Sequence, residues 1–108
     1  MAKISLNIYQ EKNKTKIEKT YEAEGYDLML GTVEDFMEII DIDKLGNQTE
    51  VAKMVVKGYS KIKPLIMDIF PELTDEEYKR VKVSDLVRTI IQLGTAVVES
   101  LDLLKSKN

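Results

Sequence analysis

This sequence predicts a mostly helical α+β fold: an N-terminal β-hairpin followed by three to four helices packed as a small bundle. Three observations carry that expectation. The first residues alternate apolar and polar with period two. From about Thr32 onward the apolar residues recur at helical spacing instead. Gly, Pro, Asn and Thr-x-x-Glu signals punctuate the chain at the points where one pattern yields to the next. A chain of 108 residues is enough for one domain with one core. Residues 1–108 therefore read as a single domain, with the hairpin over 1–24 and the helical part over 32–105.

The first strand is Lys3 to Tyr9, with Ile4, Leu6 and Ile8 facing one way and Lys3, Ser5 and Asn7 the other. The polar run Gln10 to Thr15 is the turn. Lys16 to Ala23 alternates again, with Ile17, Tyr21 and Ala23 on one side and Lys19 interrupting that side. Two strands are marginal alone, so the hairpin must dock on something. Gly25 ends the pattern. Thr32 then serves as an N-cap, with Glu34 and Asp35 in the first turn and Val33, Phe36, Met37, Ile39 and Ile40 as the apolar stripe. This helix ends near Asp41 to Asp43, and Gly46 or Asn47 is expected to take a positive φ in the turn that follows.

Thr49 caps a long helix running to about Phe70. On a helical projection its apolar residues cover about 220°, more than facing one core requires. Pro64 falls inside it and predicts a kink. Pro71 closes it. Thr74 and Glu77 form a capping box for a short helix through about Val81. Ser84-Asp85 opens the last helix, whose stripe is Leu86, Val87, Ile90, Ile91, Val97, Val98 and Leu101, an arc of about 160°. Gly94 lies within that stripe. A helix-interior Gly costs roughly 1 kcal/mol relative to Ala, which a close approach by a neighbouring group would justify. Lys105 to Asn108 reads as a frayed polar tail.

Composition argues against most chemistry. Histidine, cysteine and tryptophan are absent. The residue that most often moves protons near neutral pH is missing, and so are thiolate nucleophiles, disulfides and Cys-based zinc sites. Ser60, Ser84 and Ser100 have no His to activate them, and Gly25, Gly31 and Gly46 form no phosphate loop. With 16 basic and 19 acidic side chains, net −3, the chain has no basic surplus for a phosphate backbone. The basic residues Lys79, Arg80 and Lys82, like Lys57, Lys61 and Lys63, read as solvated faces or surface ion pairs. Asp41 and Asp43, like Asp75, Glu76 and Glu77, read as acids at helix ends. The expectation is no catalytic residue, no cofactor, no metal and no nucleic-acid partner. No leader-like N-terminus and no apolar run of roughly 20 residues is visible, so neither export nor a membrane is expected, and the cytoplasm is the default location.

What remains is surplus apolar helix surface. At Lys61-Ile62-Lys63-Pro64-Leu65-Ile66-Met67-Asp68-Ile69-Phe70-Pro71-Glu72-Leu73-Thr74-Asp75-Glu76-Glu77, then Val83-Ser84-Asp85-Leu86-Val87, the sequence resembles the tail assembly chaperones of long-tailed phages and prophages of Gram-positive bacteria. The shared pattern is an apolar helix ending in Phe, a short Leu-Thr-Asp-Glu-Glu element, and a helix opening with Asp-Leu. It covers about Val33 to Leu104. The resemblance implies a non-enzymatic protein of the host bacterial cytoplasm. Such a protein binds the tape-measure protein, helps recruit tail-tube subunits during tail morphogenesis, and is absent from the mature virion. The apolar arcs nominate Val56, Met67, Phe70, Ile91 and Val98 as partner contacts, and an incompletely covered helix also leaves room for self-association. The alternative is a helical adaptor or antitoxin-like regulatory protein.

Overall fold

A computed structural model describes residues 2–106, with side chains through Leu101. The fold is α+β and mostly helical. β1 (Lys3–Tyr9) and β2 (Ile17–Glu24) form an antiparallel hairpin; α1 (Leu30–Ile39), α2 (Gln48–Lys57), α3 (Tyr59–Ile69), the one-turn α4 (Asp75–Tyr78) and α5 (Val83–Ser106) follow. Residues 107–108, the end of the polar tail, lie outside the described residues; Lys105 and Ser106 continue α5.

Alternation in β1 does what the sequence predicts. Ile4, Leu6 and Ile8 are fully buried and face α5. In β2 the inward face is Lys19, Tyr21 and Ala23, not Ile17. Directly opposed residues of an antiparallel pair share a face. Ile8 opposes Lys19, but a register shift then sets Tyr9 opposite Ile17, skipping Glu18. Ile17 thus joins the outward Tyr9 face, half exposed. Lys19 keeps its inward place because its amine reaches the buried Glu77 carboxylate at 2.6 Å.

The outer edge of β1 is covered as well. The Ser5 amide donates to Gln92 Oε1 at 2.8 Å, and the Thr89 hydroxyl donates to the Ser5 carbonyl at 2.6 Å. Both partners belong to α5. They satisfy backbone groups that an edge strand otherwise leaves open to other chains.

The helical part differs from expectation chiefly in two caps, one turn and the long helix. α1 begins at Leu30, so Thr32 lies inside its first turn, buried, and caps nothing. Asn47, not Thr49, caps α2, its Oδ1 accepting from the Glu50 amide at 3.2 Å. No described residue has a positive φ, so the Gly46-Asn47 turn closes without one. The long helix from Thr49 to Phe70 is two helices, and the break is at Gly58, not Pro64. Pro64 sits inside α3 without interrupting it. A Cβ at Gly58 would lie 2.9 Å from Ile39 Cγ2 and 3.3 Å from the Met54 carbonyl. Close approach of α1 to the end of α2 is thus what requires glycine there.

Some helix ends also shift: α1 ends at Ile39 rather than near Asp41 to Asp43, α4 at Tyr78 rather than about Val81, and α5 starts at Val83. The capping box and the close approach at Gly94 are as expected. Thr74 Oγ1 accepts from the Glu77 amide, and Glu77 Oε1 accepts from the Thr74 amide, each at 3.1 Å, completing the capping box. A Cβ at Gly94 would meet both Leu45 methyls at 2.6 Å and the Phe36 ring at 3.1 Å, so the neighbour that excludes a side chain is the turn before α2 together with α1. The core is continuous from the hairpin through Phe36, Val51, Ile62 and Ile66 to Ile90, Leu93 and Val97 of α5. Among the described residues no helix is long and apolar enough to cross a membrane.

Candidate interaction groove

The carboxylates and cations singled out in the sequence are mostly consumed by structure. Glu77 accepts from the Tyr21 hydroxyl at 2.7 Å and pairs with Lys19. Lys19, then Tyr21, hold its carboxyl down to about 2 from an ordinary 4.5. The same contact with Glu77 raises the Tyr21 phenol. Asp75 pairs with Lys63, and Glu76 with Arg80. Arg80 also meets Glu18 at 3.2 Å and donates to the Tyr9 carbonyl at 2.8 Å, tying the strand end to the loop before α5. Lys82 lies on the Tyr9 ring, 4.2 Å from its centroid. The Tyr9 hydroxyl in turn donates to Asp85, which raises the phenol. Tyr9, Arg80 and Lys82, with Lys14 and Lys79, line a hollow of about 350 Å³. Asp41 is a local cap, accepting from the Asp43 amide at 3.0 Å. Among the described residues no three Asp or Glu side chains are grouped so as to hold a metal ion.

A different region is left with unused binding capacity. Three adjoining hollows run between α1 with its following turn and the α2–α3 junction. The largest, about 620 Å³, is lined by Met37 to Asp43 and by Met54. The second, about 250 Å³, adds Lys57, Gly58, Ser60 and Lys61. The third, about 230 Å³, runs on to Asp35, Pro64 and Leu65. Glu38 and Ile39 belong to all three, so they form one groove with Ile39 at its centre.

Sequence and packing explain the groove floor. Gly58 lets Ile39 settle against the helix break, since any side chain there would displace it. Met54 is half-buried, and its sulfur accepts from the Asp41 amide at 3.3 Å, a weak contact that orients the thioether. Met37 is 50% exposed at the lip, and Tyr59, at the first position of α3, is 71% exposed. Thioethers suit a surface that must fit more than one apolar shape.

The rims carry opposite charge. Asp35, Glu38, Asp41 and Asp43 stand on the α1 side; Lys57 and Lys61 stand on the α2–α3 side. None of the six takes part in an ion pair among the described residues. An apolar trough between rims of opposite sign, unpaired among the described residues, can hold an amphipathic segment.

The five residues nominated from apolar arcs do not lie in this groove. Val56 is 67% exposed on α2. Met67 and Ile91 are half-buried and packed on the core, and Val98 is half-buried. Phe70 is a correction. It is only 2% exposed, with its ring 6.0 Å from that of Tyr21, and offers a partner nothing. The 220° arc that nominated three of them assumed one continuous helix, and the break at Gly58 re-aims α3 relative to α2. A second apolar exposure, Tyr26, Met29 and Leu30, lies at the start of α1.

Comparison of the chain with protein-family models, with curated proteins and with solved structures gives no match.

Proposed function

We propose that this protein is a non-enzymatic binding module that covers the apolar stripe of a helical partner. The observation that carries the proposal is the groove around Ile39, with its exposed Met37, half-buried Met54 and unpaired charged rims. Grooves of this kind take a helix through residues spaced one turn apart, and Met-rich floors adapt to several sequences. The resemblance between Lys61 and Val87 directs the proposal to tail assembly: the partner is the tape-measure protein, whose long apolar-striped helix aggregates when uncovered. The chain's net charge of −3 helps such a complex stay dissolved. On this reading the protein acts in the host cytoplasm, brings tail-tube subunits to the covered helix, and leaves before the particle is complete.

Co-expression with a tape-measure fragment is the direct test. The soluble fraction of the fragment rises with this chain present and falls back when Met37 becomes Asp, while Met37→Leu retains the rescue. A fragment equally insoluble with and without the wild-type chain ends the proposal. Mass spectrometry of purified particles separates a departing chaperone from a resident tail protein.

A further inference from the structure

We infer that the groove selects the direction in which a guest helix lies, because its two rims carry opposite, unpaired charge. The inference rests on the groove being the docking surface proposed above. α1 lines the groove from Asp35 to Ile39, about 7 Å of helix, and the turn through Asp43 carries the wall on. The acidic rim is Glu38, Asp41 and their neighbours; the basic rim is Lys57 and Lys61. An amphipathic helix seated with its stripe on Ile39 and Met54 presents one flank to each rim.

Turning such a helix end for end keeps its stripe down but exchanges its flanks. An uncharged groove is indifferent to that exchange. Here one orientation places a basic flank against the acids and an acidic flank against the lysines; the other places like charges together on both sides. Like-charge juxtaposition penalises the wrong arrangement, and charge across an interface sets register and orientation more than affinity. The preferred occupant is therefore an amphipathic helix with a basic edge and an acidic edge, held in one direction.

Two synthetic peptides of about 18 residues test this, long enough to keep helix in water. Both carry the same Leu stripe; one has Lys on the left flank and Glu on the right, the other the reverse. A nitroxide at each N-terminus reports direction through paramagnetic broadening of the methyls of Ile42 and Leu65, at opposite ends of the groove. The expected result is that one peptide broadens Ile42 and the other Leu65. The expected result in the variant carrying Asp35→Lys, Glu38→Lys, Asp41→Lys, Asp43→Lys, Lys57→Glu and Lys61→Glu is the reverse assignment. In a variant with all six neutralised to Gln or Asn, each peptide broadens both ends equally. If both peptides bind wild-type protein and broaden the same end, or both ends equally, the directional inference is wrong and the docking groove stands. If neither peptide shifts any methyl lining the groove, the docking reading fails and this inference with it.

Discussion

Glu77 joins α4 to β2, and its charge is what holds them together. Its carboxylate closes the α4 cap, accepts from the Tyr21 hydroxyl of β2 and pairs with Lys19. Its pKa falls from 4.5 to about 2 on folding, chiefly through Lys19 and then Tyr21. The unfolded chain therefore binds this proton more readily than the folded one. The stabilisation is fully present above about pH 4.5 and drains away as pH falls toward 2. Glu77→Gln should cost about 2 kcal/mol at pH 7, the usual size for hydrogen bonds to a charged group. The gap between variant and wild type should close as urea unfolding is repeated at successively lower pH. A gap that stays constant down to pH 2 would place the effect in shape rather than charge.

Gly94 tests packing at the same scale. Ala is the better helix former by roughly 1 kcal/mol. Yet a Cβ at 94 would meet Leu45 at 2.6 Å and Phe36 at 3.1 Å. Leu45 is half-buried and its methyls can give way; the buried Phe36 ring has less room. Overpacking of this kind costs about 1–3 kcal/mol, so Gly94→Ala should come out destabilising by about 1 kcal/mol despite its propensity. A rise in thermal midpoint would show that Leu45 relaxes freely.

The break between α2 and α3 shapes the groove at the scale of elements. Gly58 admits Ile39, and Ile39 is the groove's floor. Gly58→Ala should push Ile39 outward, shift the Ile39 and Met54 methyl resonances, and lower stability by about 1 kcal/mol. Unchanged methyl shifts would mean the floor is set elsewhere. This element also marks where sequence legibility stopped. Period two exposed the buried face of β1, Thr74 with Glu77 exposed the cap, and Gly94 announced a close neighbour, because each is a local rule with a local partner. Pro64 is the stronger helix breaker by local rule, yet α3 runs through it. The actual break depends on where Ile39 arrives from another helix, which no spacing within 48–69 encodes. Ile17 failed for a similar reason: a one-residue shift against β1 moved it to the other face. Phe70 failed with them, since an arc drawn on one straight helix does not hold across the break at Gly58.

At the scale of the whole molecule, the two ends of the chain are joined through Ser5. β1 has β2 on one side only, and its other edge is sealed by Thr89 and Gln92 of α5. Thr89 is fully buried and its hydroxyl also lies 2.9 Å from the Asp85 carbonyl, so it fixes the helix and the strand together. The hairpin cannot stand alone, and α5 needs the face of Ile4, Leu6 and Ile8 to cover Ile90 and Leu93. Each is the other's missing layer, and unfolding should be a single cooperative transition. Gln92→Leu removes the acceptor for the Ser5 amide without removing bulk. A part-buried donor left unpaired costs about 1–3 kcal/mol, and the loss should appear as one lowered denaturation midpoint with an unchanged slope. Hydrogen exchange then locates the defect. The Ser5 amide should lose protection first, while the amides of α3, in a different layer, open only with the whole molecule. If the variant instead unfolds in two steps, the hairpin and the helical part are separate units.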